Sequence, residues 1–298
     1  MPATAAIPAP PENRLPELDQ DQLRRWNRLL ESRIGIRVPE ERQSFLASGL
    51  RRRMQEIGCH DPQGYYDLLA RGKGGLAEWS ILVDRLTVHE TSFFRHEPSF
   101  ALIGEQLLPA FLAEAGEGDC FQAWSVGCAT GEEPYSLAML CDAAFARAAS
   151  PARFAIWATD VSLPALAQAR CGRYPLRRLG GIPQGYRHYL RCDAQGFEVL
   201  SEVRSRVCFT PQNLADLAEC PWQGLDLVYC QNVLIYFDRP RRAEILAQLA
   251  ERLRPGGVLL LGPGDMPLWR HPQMERIRYE GTLAYRRLPA VGDAKGLG

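Results

Sequence analysis

Lysine, long hydrophobic runs and paired cysteines are all scarce in this sequence. Of its 35 basic residues only Lys73 and Lys295 are lysines, and 35 acidic residues bring the formal net charge to zero. A protein that binds polyanions non-specifically is normally basic, so this balance argues against a nucleic-acid-binding protein. No apolar run approaches the roughly 18–20 residues needed to span a bilayer, so we expect no membrane insertion.

The amino terminus also lacks a secretory signal, which would combine a basic start with an apolar stretch. The nine cysteines are scattered without a C-x-x-C pair, which is typical of reduced thiols in a cytoplasmic protein. The five histidines have no metal-ligand spacing with them, so we predict no metal site. Prolines predict a disordered tail over residues 1–17, and a second tail is predicted over residues 289–298.

Residues 18–88 carry the apolar spacing of helices. Leu23, Trp26, Leu30 and Ile34 recur every three or four residues, as in a helix with one buried face. Three further segments follow, one of them opened by Asp61 as an N-cap and Pro62 as the first helical residue. The pattern predicts a small all-α domain of four short helices.

The second of these helices contains three consecutive arginines, Arg51, Arg52 and Arg53. Consecutive helical residues point about 100° apart, so at least two guanidinium groups should face solvent. One interpretation is an ordinary solvated helix face. The other is a docking surface for an acidic partner helix.

After residue 88 the sequence alternates between strands and helices. Short apolar strands are predicted at residues 121–126, 154–159, 225–230 and 258–262, with helices at 132–148, 163–171 and 239–253. This succession predicts an α/β domain over residues 89–288, with a mostly parallel sheet covered by helices and closed by an antiparallel hairpin. Residues 174–210 interrupt the alternation and predict a small inserted β-subdomain, with strands at 196–200 and 203–209.

A glycine turn, G-C-A-T-G at residues 127–131, connects a predicted strand to a helix. This layout is typical of nucleotide binding, but the spacing matches neither G-x-G-x-x-G nor a P-loop. Glu132 and Glu133 follow the turn directly. Two carboxylates would repel a pyrophosphate, so the sequence favours a cationic ligand without phosphate, such as S-adenosylmethionine.

Two further strand ends carry polar residues. Asp160 is placed to accept hydrogen bonds from both ribose hydroxyls of a nucleoside, although an aspartate there could also simply cap a turn. Enzymes that methylate amines in nucleic acids tend to carry an Asn/Asp-Pro-Pro-Tyr/Phe turn after a later strand. Residues 231–237 read Q-N-V-L-I-Y-F there, and the missing prolines argue against an amine acceptor.

Six segments together resemble the CheR family of chemotaxis-receptor glutamate methyltransferases. They are L-T-V-H-E-T-S-F-F-R at 86–95, G-C-A-T-G-E-E-P-Y-S at 127–136, A-T-D-V at 158–161, Q-N-L at 212–214, C-Q-N-V-L-I-Y-F at 230–237 and L-R-P-G-G at 253–257. The similarity extends from about residue 18 to 288. It implies a helical N-terminal domain before a Rossmann-like class I methyltransferase domain, with a small inserted antiparallel β-subdomain.

The resemblance implies methyl transfer from S-adenosylmethionine to glutamates in the cytoplasmic helical region of a chemoreceptor, leaving S-adenosylhomocysteine and a glutamyl methyl ester. Arg95 and Tyr236 would lie where the acceptor carboxylate enters and are the implied catalytic residues. The implied cofactor contacts are His89, Thr91, Arg95, Glu133, Asp160, Asn213, Leu214, Asn232 and Val233. Residues 192–196 form a short loop, which predicts that no peptide tether of the receptor is needed. Nothing in the sequence demands more than a monomer.

This chemistry needs no general base, because a glutamate with a pKa of about 4.3 is already ionised at neutral pH. The site has only to align a carboxylate oxygen with the methyl group at roughly 3–3.5 Å. Arg95 could instead form a salt bridge with Glu90 or Glu97, and Tyr236 could be a core aromatic residue. Alternative functions are another carboxyl methyltransferase, a catalytically weak cofactor-sensing docking protein and, disfavoured by the glycine spacing, a nicotinamide dehydrogenase.

Overall fold

The computed structural model describes residues 17–71, 75–87 and 90–289 of the chain. The segments 1–16 and 290–298, on which the predicted tails fall, lie outside these residues, and so does His89. The described chain begins with four helices, α1 Gln20–Ile34, α2 Gln43–Glu56, α3 Pro62–Ala70 and α4 Gly75–Leu86. Their apolar faces enclose one core around Trp26, Leu30 and Leu50, which confirms the predicted helical region.

Helix starts in this region follow from local hydrogen bonds. The Asp19 side chain accepts from the backbone N–H of Gln22, whose own side chain accepts from the N–H of Asp19, which is a complete capping box. The predicted N-cap Asp61 accepts from the N–H of Gln63 at 3.0 Å. Gly35 then ends α1 with a φ of +70°, a conformation that glycine adopts without strain.

A further helical segment connects the four helices to the α/β part of the chain. No pattern in the sequence predicted it. It consists of α5 Glu97–Leu102, a wider turn at Ile103–Leu107 and α6 Leu108–Glu114. Prolines 98 and 109 stand at the starts of α5 and α6, where no backbone N–H donor is required. The segment packs against α7, which has the bounds Glu132–Arg147.

A seven-stranded sheet forms the centre of the second part, in the order β6-β2-β1-β7-β8-β10-β9. Its strands are β1 Cys120–Val126, β2 Arg153–Asp160, β6 Val207–Pro211, β7 Leu225–Cys230, β8 Leu253–Leu261, β9 Met274–Ile277 and β10 Leu283–Arg287. The first five strands of this order pair in parallel, and β10 pairs antiparallel with β8 and β9. The predicted Rossmann-like arrangement with a closing hairpin is confirmed.

Helices cover both faces of this sheet, and a separate hydrophobic core lies on each face. One core contains α7 and α8, the latter spanning Leu163–Cys171, and the other contains α10, which spans Arg239–Arg252. The side chain of Ser162 accepts from the N–H of Ala165 at 3.1 Å and caps α8. All nine cysteines are free thiols; Cys128, Cys141 and Cys230 are buried, whereas Cys171, Cys192 and Cys208 are exposed.

The inserted element is a three-stranded antiparallel sheet in the order β3-β5-β4. Its strands are β3 Arg173–Tyr174, β4 Leu190–Asp193 and β5 Gly196–Val199, followed by the short α9 Ser201–Arg204. The prediction that a strand at 203–209 belongs to this element was wrong. The segment Val207–Pro211 pairs in parallel with β2 as the edge of the large sheet, because its partner is a strand distant in sequence that no local pattern reveals.

Candidate functional site

Four strand ends lie in one row at the carboxyl edge of the large sheet. Val126 is aligned with Thr159 and Cys230, and Cys230 is aligned with Leu261. The residues that follow these positions therefore come together, namely Gly127, Asp160, Gln231 and Gly262. Open parallel sheets bind their ligands outside this edge.

The glycine turn between β1 and α7 depends on its glycines. Gly127 and Gly131 have φ angles of +68° and +95°. A Cβ atom on Gly127 would lie 2.4 Å from Cγ2 of Val233, and one on Gly131 would lie 2.8 Å from Cβ of Ala169. No side chain fits at either position, so the backbone of the turn approaches its neighbours closely.

Asp160 is fixed by the backbone around it. One carboxylate oxygen accepts from the N–H of Ala129 at 2.9 Å, and the other accepts from the N–H of Ser162 at 2.8 Å. The side chain thus caps the local turn at Ser162. It also holds the glycine turn, which follows the neighbouring strand β1. The turn-capping interpretation of this aspartate is therefore confirmed, and ribose binding stays a prediction. Asp160 also lines a cavity of about 80 Å³.

We refer to this space as the Asp160 cavity. From the second part of the chain it is lined by Gly127, Ala129, Thr159, Asp160, Val161, Gln212, Asn213, Leu214, Val233, Tyr236 and Phe237. The Asn213 side chain accepts from the N–H of Ala215 and donates to the carbonyl oxygen of Arg33 at 2.8 Å. Leu214 is buried beside it.

A second space of about 210 Å³, the Arg95 cavity, lies next to the first. It is lined by Arg42, Glu90, Thr91, Ser92, Arg95, Phe100, Glu133, Tyr229, Gln231, Asn232, Ile235 and Tyr236. The structure therefore brings the predicted residues Thr91, Arg95 and Glu133 to one cavity and Asp160, Asn213 and Leu214 to the other. Tyr236 lines both cavities, and Asn232 and Val233 lie between them on one turn.

Glu133 lies at the buried end of the Arg95 cavity, one residue into α7. Burial raises the pKa of its carboxyl group to about 8, against the opposing effects of a hydrogen bond from Ser125 and the charge of Arg95. The Ser125 hydroxyl donates to one Glu133 oxygen at 2.7 Å. A carboxyl group in this environment gains from a positively charged ligand, which stabilises its ionised form.

Arg95 is exposed at the wall of the same cavity. Its guanidinium donates to the backbone carbonyl oxygen of Glu90, and not to the Glu90 carboxylate. This contact orients the side chain without neutralising it. The remaining donors of the planar guanidinium group can therefore bind a carboxylate that enters the cavity.

Tyr236 joins the two parts of the molecule. Its ring packs against the α10 side of the sheet and also against the core of the four helices. Its carbonyl oxygen accepts from the N–H of Arg37 at 3.1 Å. The residue is half-buried rather than enclosed, and this differs from the alternative of an ordinary core aromatic.

The turn that carries Asn232 is held by a residue that the sequence analysis did not identify as functional. Asn232 has a φ of +60°, which is uncommon outside glycine. Asp265 accepts from the N–H of Asn232 at 3.2 Å and from the N–H of Gly262 at 2.8 Å. Burial raises the pKa of Asp265 to about 6. Its contact with Asn232 spans 33 residues of sequence, so no local motif reveals it.

Gln231 and Ser99 form the floor behind the Arg95 cavity. The buried Gln231 amide donates to the Ser99 hydroxyl at 2.7 Å, and the same hydroxyl lies 2.7 Å from Nδ1 of His96. Burial lowers the pKa of His96. This histidine is therefore engaged in a structural hydrogen bond.

The three consecutive arginines of α2 have different surroundings. Arg53 is 13% exposed and binds Glu78 of α4 through two nitrogens, one of them at 2.8 Å, and also Glu56. Burial by itself would raise the pKa of Glu78. The hydrogen bonds from Arg53 and Tyr65 outweigh this effect and hold the pKa below its usual value. Arg52 is 70% exposed and Arg51 is half-buried. Arg53 therefore connects α2 to α4, and the positive charge that faces solvent belongs to Arg51 and Arg52.

Two kinds of feature are missing from the described part of the chain. Within residues 17–71, 75–87 and 90–289, no three His, Cys, Asp or Glu side chains are grouped as metal ligands would be. Over the same residues, no helix has the length and apolar character needed to cross a membrane.

Comparison with known proteins identifies two matching family models. The model for the CheR methyltransferase, SAM binding domain, matches residues 89–278. The model for the CheR methyltransferase, all-alpha domain, matches residues 21–87. The match thus covers both the helical part and the part that carries the two cavities.

Several named proteins are similar to this chain over most of its length. A chemotaxis protein methyltransferase of Klebsiella aerogenes is 36% identical over 260 residues, which are 85% of this chain and 85% of that protein. The Escherichia coli protein of the same name is 30% identical over 253 residues, covering 83% and 85%. A probable biofilm formation methyltransferase WspC of Pseudomonas aeruginosa is 34% identical over 270 residues, which are 88% of this chain but only 61% of that longer protein.

Proposed function

This chain belongs to the CheR methyltransferase family, and from that premise we propose that it methylates glutamate side chains of a chemoreceptor. The cofactor is S-adenosylmethionine, and the product is a glutamyl methyl ester. The observation that carries the proposal is the pair of neighbouring cavities with Tyr236 between them. One offers a nucleoside site at Asp160, and the other offers a carboxylate site at Arg95.

The residues present fit S-adenosylmethionine. The glycine turn provides a backbone cradle at Gly127, which lines the Asp160 cavity and where a Cβ atom would collide with Val233. Asp160 is anchored at the edge of this cradle and can accept hydrogen bonds from ribose hydroxyls. Glu133 supplies a carboxyl group for the cationic methionine end.

Each assignment follows the cavity that the residue lines. We assign Thr91, Arg95 and Glu133 to the methionine end, Asp160 to the ribose, Asn213 and Leu214 to the adenine, and Asn232 and Val233 to the turn between them. His89 belongs to the same assignment, although it lies outside the described residues. Arg95 and Tyr236 are assigned to the acceptor carboxylate.

When bound, S-adenosylmethionine supplies an electrophilic methyl group on a sulfonium sulfur. An acceptor glutamate is ionised at neutral pH, so no residue of the chain has to remove a proton. Arg95 and the Tyr236 hydroxyl orient the carboxylate so that one oxygen points along the S–C bond that breaks as the new C–O bond forms. Positioning of this kind can lower a barrier by ~7–11 kcal/mol.

The walls of the Arg95 cavity favour the same step. Phe100 and Tyr229, which are both buried, form an apolar wall on one side of it. A carboxylate and a sulfonium neutralise each other as the methyl group moves, so a partly dry site favours transfer. A single guanidinium contact also leaves enough electron density on the attacking oxygen.

We further propose that the receptor docks on the outer face of α2. Arg51 and Arg52 supply positive charge there, while Arg53 is occupied by Glu78. An amphipathic receptor helix that carries methylatable glutamates presents the complementary charge. Interactions of this kind steer association and weaken as salt rises.

Methyl transfer to receptor fragments tests the proposal. The full chain is incubated with S-adenosylmethionine labelled in its methyl group and with cytoplasmic fragments of chemoreceptors encoded in the same genome. We expect label that alkali releases as methanol, and none on fragments whose acceptor glutamates are changed to glutamine. Label that survives alkali would indicate an amine acceptor, and cofactor binding without any transfer would favour a docking protein.

A further inference from the structure

Asp265 is a buried carboxylate, 2% exposed, that the proposed chemistry does not use. Its Oδ2 atom accepts from the N–H groups of Gly262 at 2.8 Å and of Asn232 at 3.2 Å. Its Oδ1 atom is also buried and has no hydrogen-bond partner among the residues that the structure describes. We call residues 232–237 the Asn232 turn. Only one of the two carboxylate oxygens therefore holds this turn.

Two energetically costly features are in contact here. Asn232 has a φ of +60°, and a residue other than glycine in this region costs of order 1–3 kcal/mol. A buried polar atom without a partner, such as Oδ1 of Asp265, costs ~1–3 kcal/mol. Strained residues of this kind are found mainly at functional sites. The contact between the two features therefore makes Asp265 a candidate for a functional role.

Gly262 allows the carboxylate to approach the Asn232 turn. A Cβ atom on Gly262 would lie 2.7 Å from Oδ2 of Asp265 and 3.1 Å from the backbone nitrogen of Asn232. A larger residue at this position would push the carboxylate away from the Asn232 N–H group. The contact thus depends on the glycine that follows β8 as well as on Asp265.

The other end of the Asn232 turn is held through Arg242. Its guanidinium donates to carbonyl oxygens on both sides of Tyr236, those of Ile235 at 3.2 Å and of Phe237 at 2.7 Å. The same guanidinium donates to the carbonyl oxygen of Asp265 at 3.2 Å. The turn is therefore attached to residue Asp265 at both of its ends, directly at one and through Arg242 at the other.

The Asn232 turn carries residues of both cavities. Asn232 lines the Arg95 cavity, Val233 lines the Asp160 cavity, and Tyr236 lines both. A shift of this turn would move Tyr236 relative to a carboxylate that enters beside Arg95. A misplacement of about 1 Å can cost about 100-fold in rate. The group that fixes the turn can therefore affect methyl transfer without touching the reactants.

We propose that Asp265 is a positioning residue for methyl transfer, and that its carboxylate fixes the Asn232 turn so that the Tyr236 hydroxyl meets the acceptor carboxylate. This inference rests on the proposed function, because it takes a carboxylate as the methyl acceptor. Asp265 is not among the residues that line the Arg95 and Asp160 cavities. It therefore acts through the turn and not on the reactants.

Ionisation of Asp265 strengthens its hold on the turn, because hydrogen bonds to a charged acceptor are roughly twice as strong as neutral ones. Burial raises the pKa of Asp265 to about 6, against backbone hydrogen bonds and the charge of Arg242 on α10. Glu133 on α7 and the Cys230 thiol on β7 also face it, and its charge contributes to their raised pKa values. Protonation of Asp265 below about pH 6 should therefore loosen the Asn232 turn.

The pH profile of methyl transfer to receptor fragments tests this role. Saturating S-adenosylmethionine removes the effect of Glu133 on cofactor affinity, so that kcat reports the transfer itself. We expect the wild-type kcat to fall as the pH drops through about 6. Asp265→Asn, which keeps a neutral acceptor in place, should lower kcat about tenfold at about pH 8 and abolish this fall. The KM for the fragment and the affinity for S-adenosylhomocysteine should change far less.

Asp226→Asn is the matched control. Asp226 is also a buried carboxylate that accepts from a backbone N–H group, that of Gln122 at 2.7 Å, but it lies near the start of β7, at the opposite end of the strand from the cavities. This variant should lower the thermal stability and keep the wild-type kcat and pH profile. Gly262→Ala should reproduce the loss of kcat, because its Cβ atom displaces the Asp265 carboxylate.

The outcomes separate this inference from the proposed function. A fall in kcat near pH 6 that persists in Asp265→Asn, or an equal loss of kcat and of cofactor affinity in that variant, overturns the role of Asp265 and leaves the methyltransferase proposal intact. Absence of transfer by the folded wild type contradicts the proposed function, and this inference with it. If neither Asp265→Asn nor Gly262→Ala folds, the wild-type profile decides. A kcat that stays constant down to about pH 5, above the titration of the acceptor glutamate at about 4.3, refutes the inference.

Discussion

Glu133 makes the site sensitive to pH at the scale of a single residue. Burial raises the pKa of this carboxyl group from 4.5 to about 8, with Arg95 opposing and Asp265 adding to the shift. Between these two values the folded protein holds a proton that the unfolded chain has released. The contribution of Glu133 to the free energy of unfolding is therefore greatest below pH 4.5 and declines as the pH rises through about 8.

Cofactor affinity should follow the opposite trend. We expect S-adenosylmethionine to bind more tightly as the pH approaches 8, because its cationic groups stabilise the ionised form of Glu133 and binding releases a proton. Calorimetry at neutral pH in buffers of different ionisation enthalpy measures that proton. Glu133→Gln should release none and should lose the pH dependence. Equal proton release by wild type and variant would assign the effect to another group.

We expect Arg95 to contribute more to methyl transfer than to cofactor binding. We expect Arg95→Ala to lower the rate of receptor methylation by about 100-fold, since loss of positioning can cost that much. Its affinity for S-adenosylhomocysteine should change far less. Arg95→Lys should restore only part of the rate, because an ammonium on a flexible stem orients the carboxylate less rigidly than a guanidinium group. If affinity and rate fall by the same factor, Arg95 belongs to the cofactor side alone.

At the scale of elements, the glycine turn fixes the path between β1 and α7. Gly127→Ala places a Cβ atom 2.4 Å from Val233 at a φ of +68°. We expect a loss of ~1–3 kcal/mol in the free energy of unfolding together with a marked loss of cofactor affinity. Chemical denaturation and calorimetry measure the two effects. Gly185→Ala, with nothing within 4 Å of the added atom, should change neither.

The small sheet makes a prediction about the receptor. Only Ala194 and Gln195 separate β4 from β5, and Asp193 closes this turn by accepting from the N–H groups of Gln195 and Gly196 at 2.8 and 3.0 Å. A turn this short offers little surface for a receptor peptide. We therefore expect receptor fragments with and without their C-terminal residues to be methylated at equal rates in the same transfer assay. A strong preference for the complete fragment would refute this.

Local interactions explain which elements the sequence predicts well. The bounds 163–171 and 225–230 agree with α8 and β7 because caps, turns and apolar runs act within a few residues. The strand Val207–Pro211 was assigned to the wrong sheet because its partner β2 lies about 50 residues earlier. Asp265 escaped notice for the same reason, since its partner Asn232 lies 33 residues earlier in the sequence.

At the scale of the whole molecule, charge on α2 should govern receptor docking. We expect the double variant Arg51→Glu and Arg52→Glu to raise the KM for the receptor severalfold and to reduce its dependence on salt. Affinity for S-adenosylhomocysteine should stay unchanged, because α2 does not line the Asp160 cavity. Arg286→Glu, an exposed charge reversal on β10, serves as the control. Equal effects of the two reversals would refute a specific docking face.

The sequence also predicted the overall arrangement of the two parts, but not the contacts that hold their elements together. Composition and alternation were enough to predict a helical part followed by an α/β part. They gave no sign that Arg53 ties α2 to α4, or that Tyr236 packs against both parts. Such contacts join residues that are distant in sequence, so they depend on the packing of the folded chain and leave no local pattern.

The distribution of thiols has a practical consequence. Burial raises the pKa of Cys128, Cys141 and Cys230, and alkylating reagents attack only the ionised thiolate. Cys171, Cys192 and Cys208 are exposed near the small sheet and the β6 edge. A maleimide dye should therefore attach there first and spare the glycine turn. Native fluorescent labelling could then report receptor encounters without any engineered cysteine.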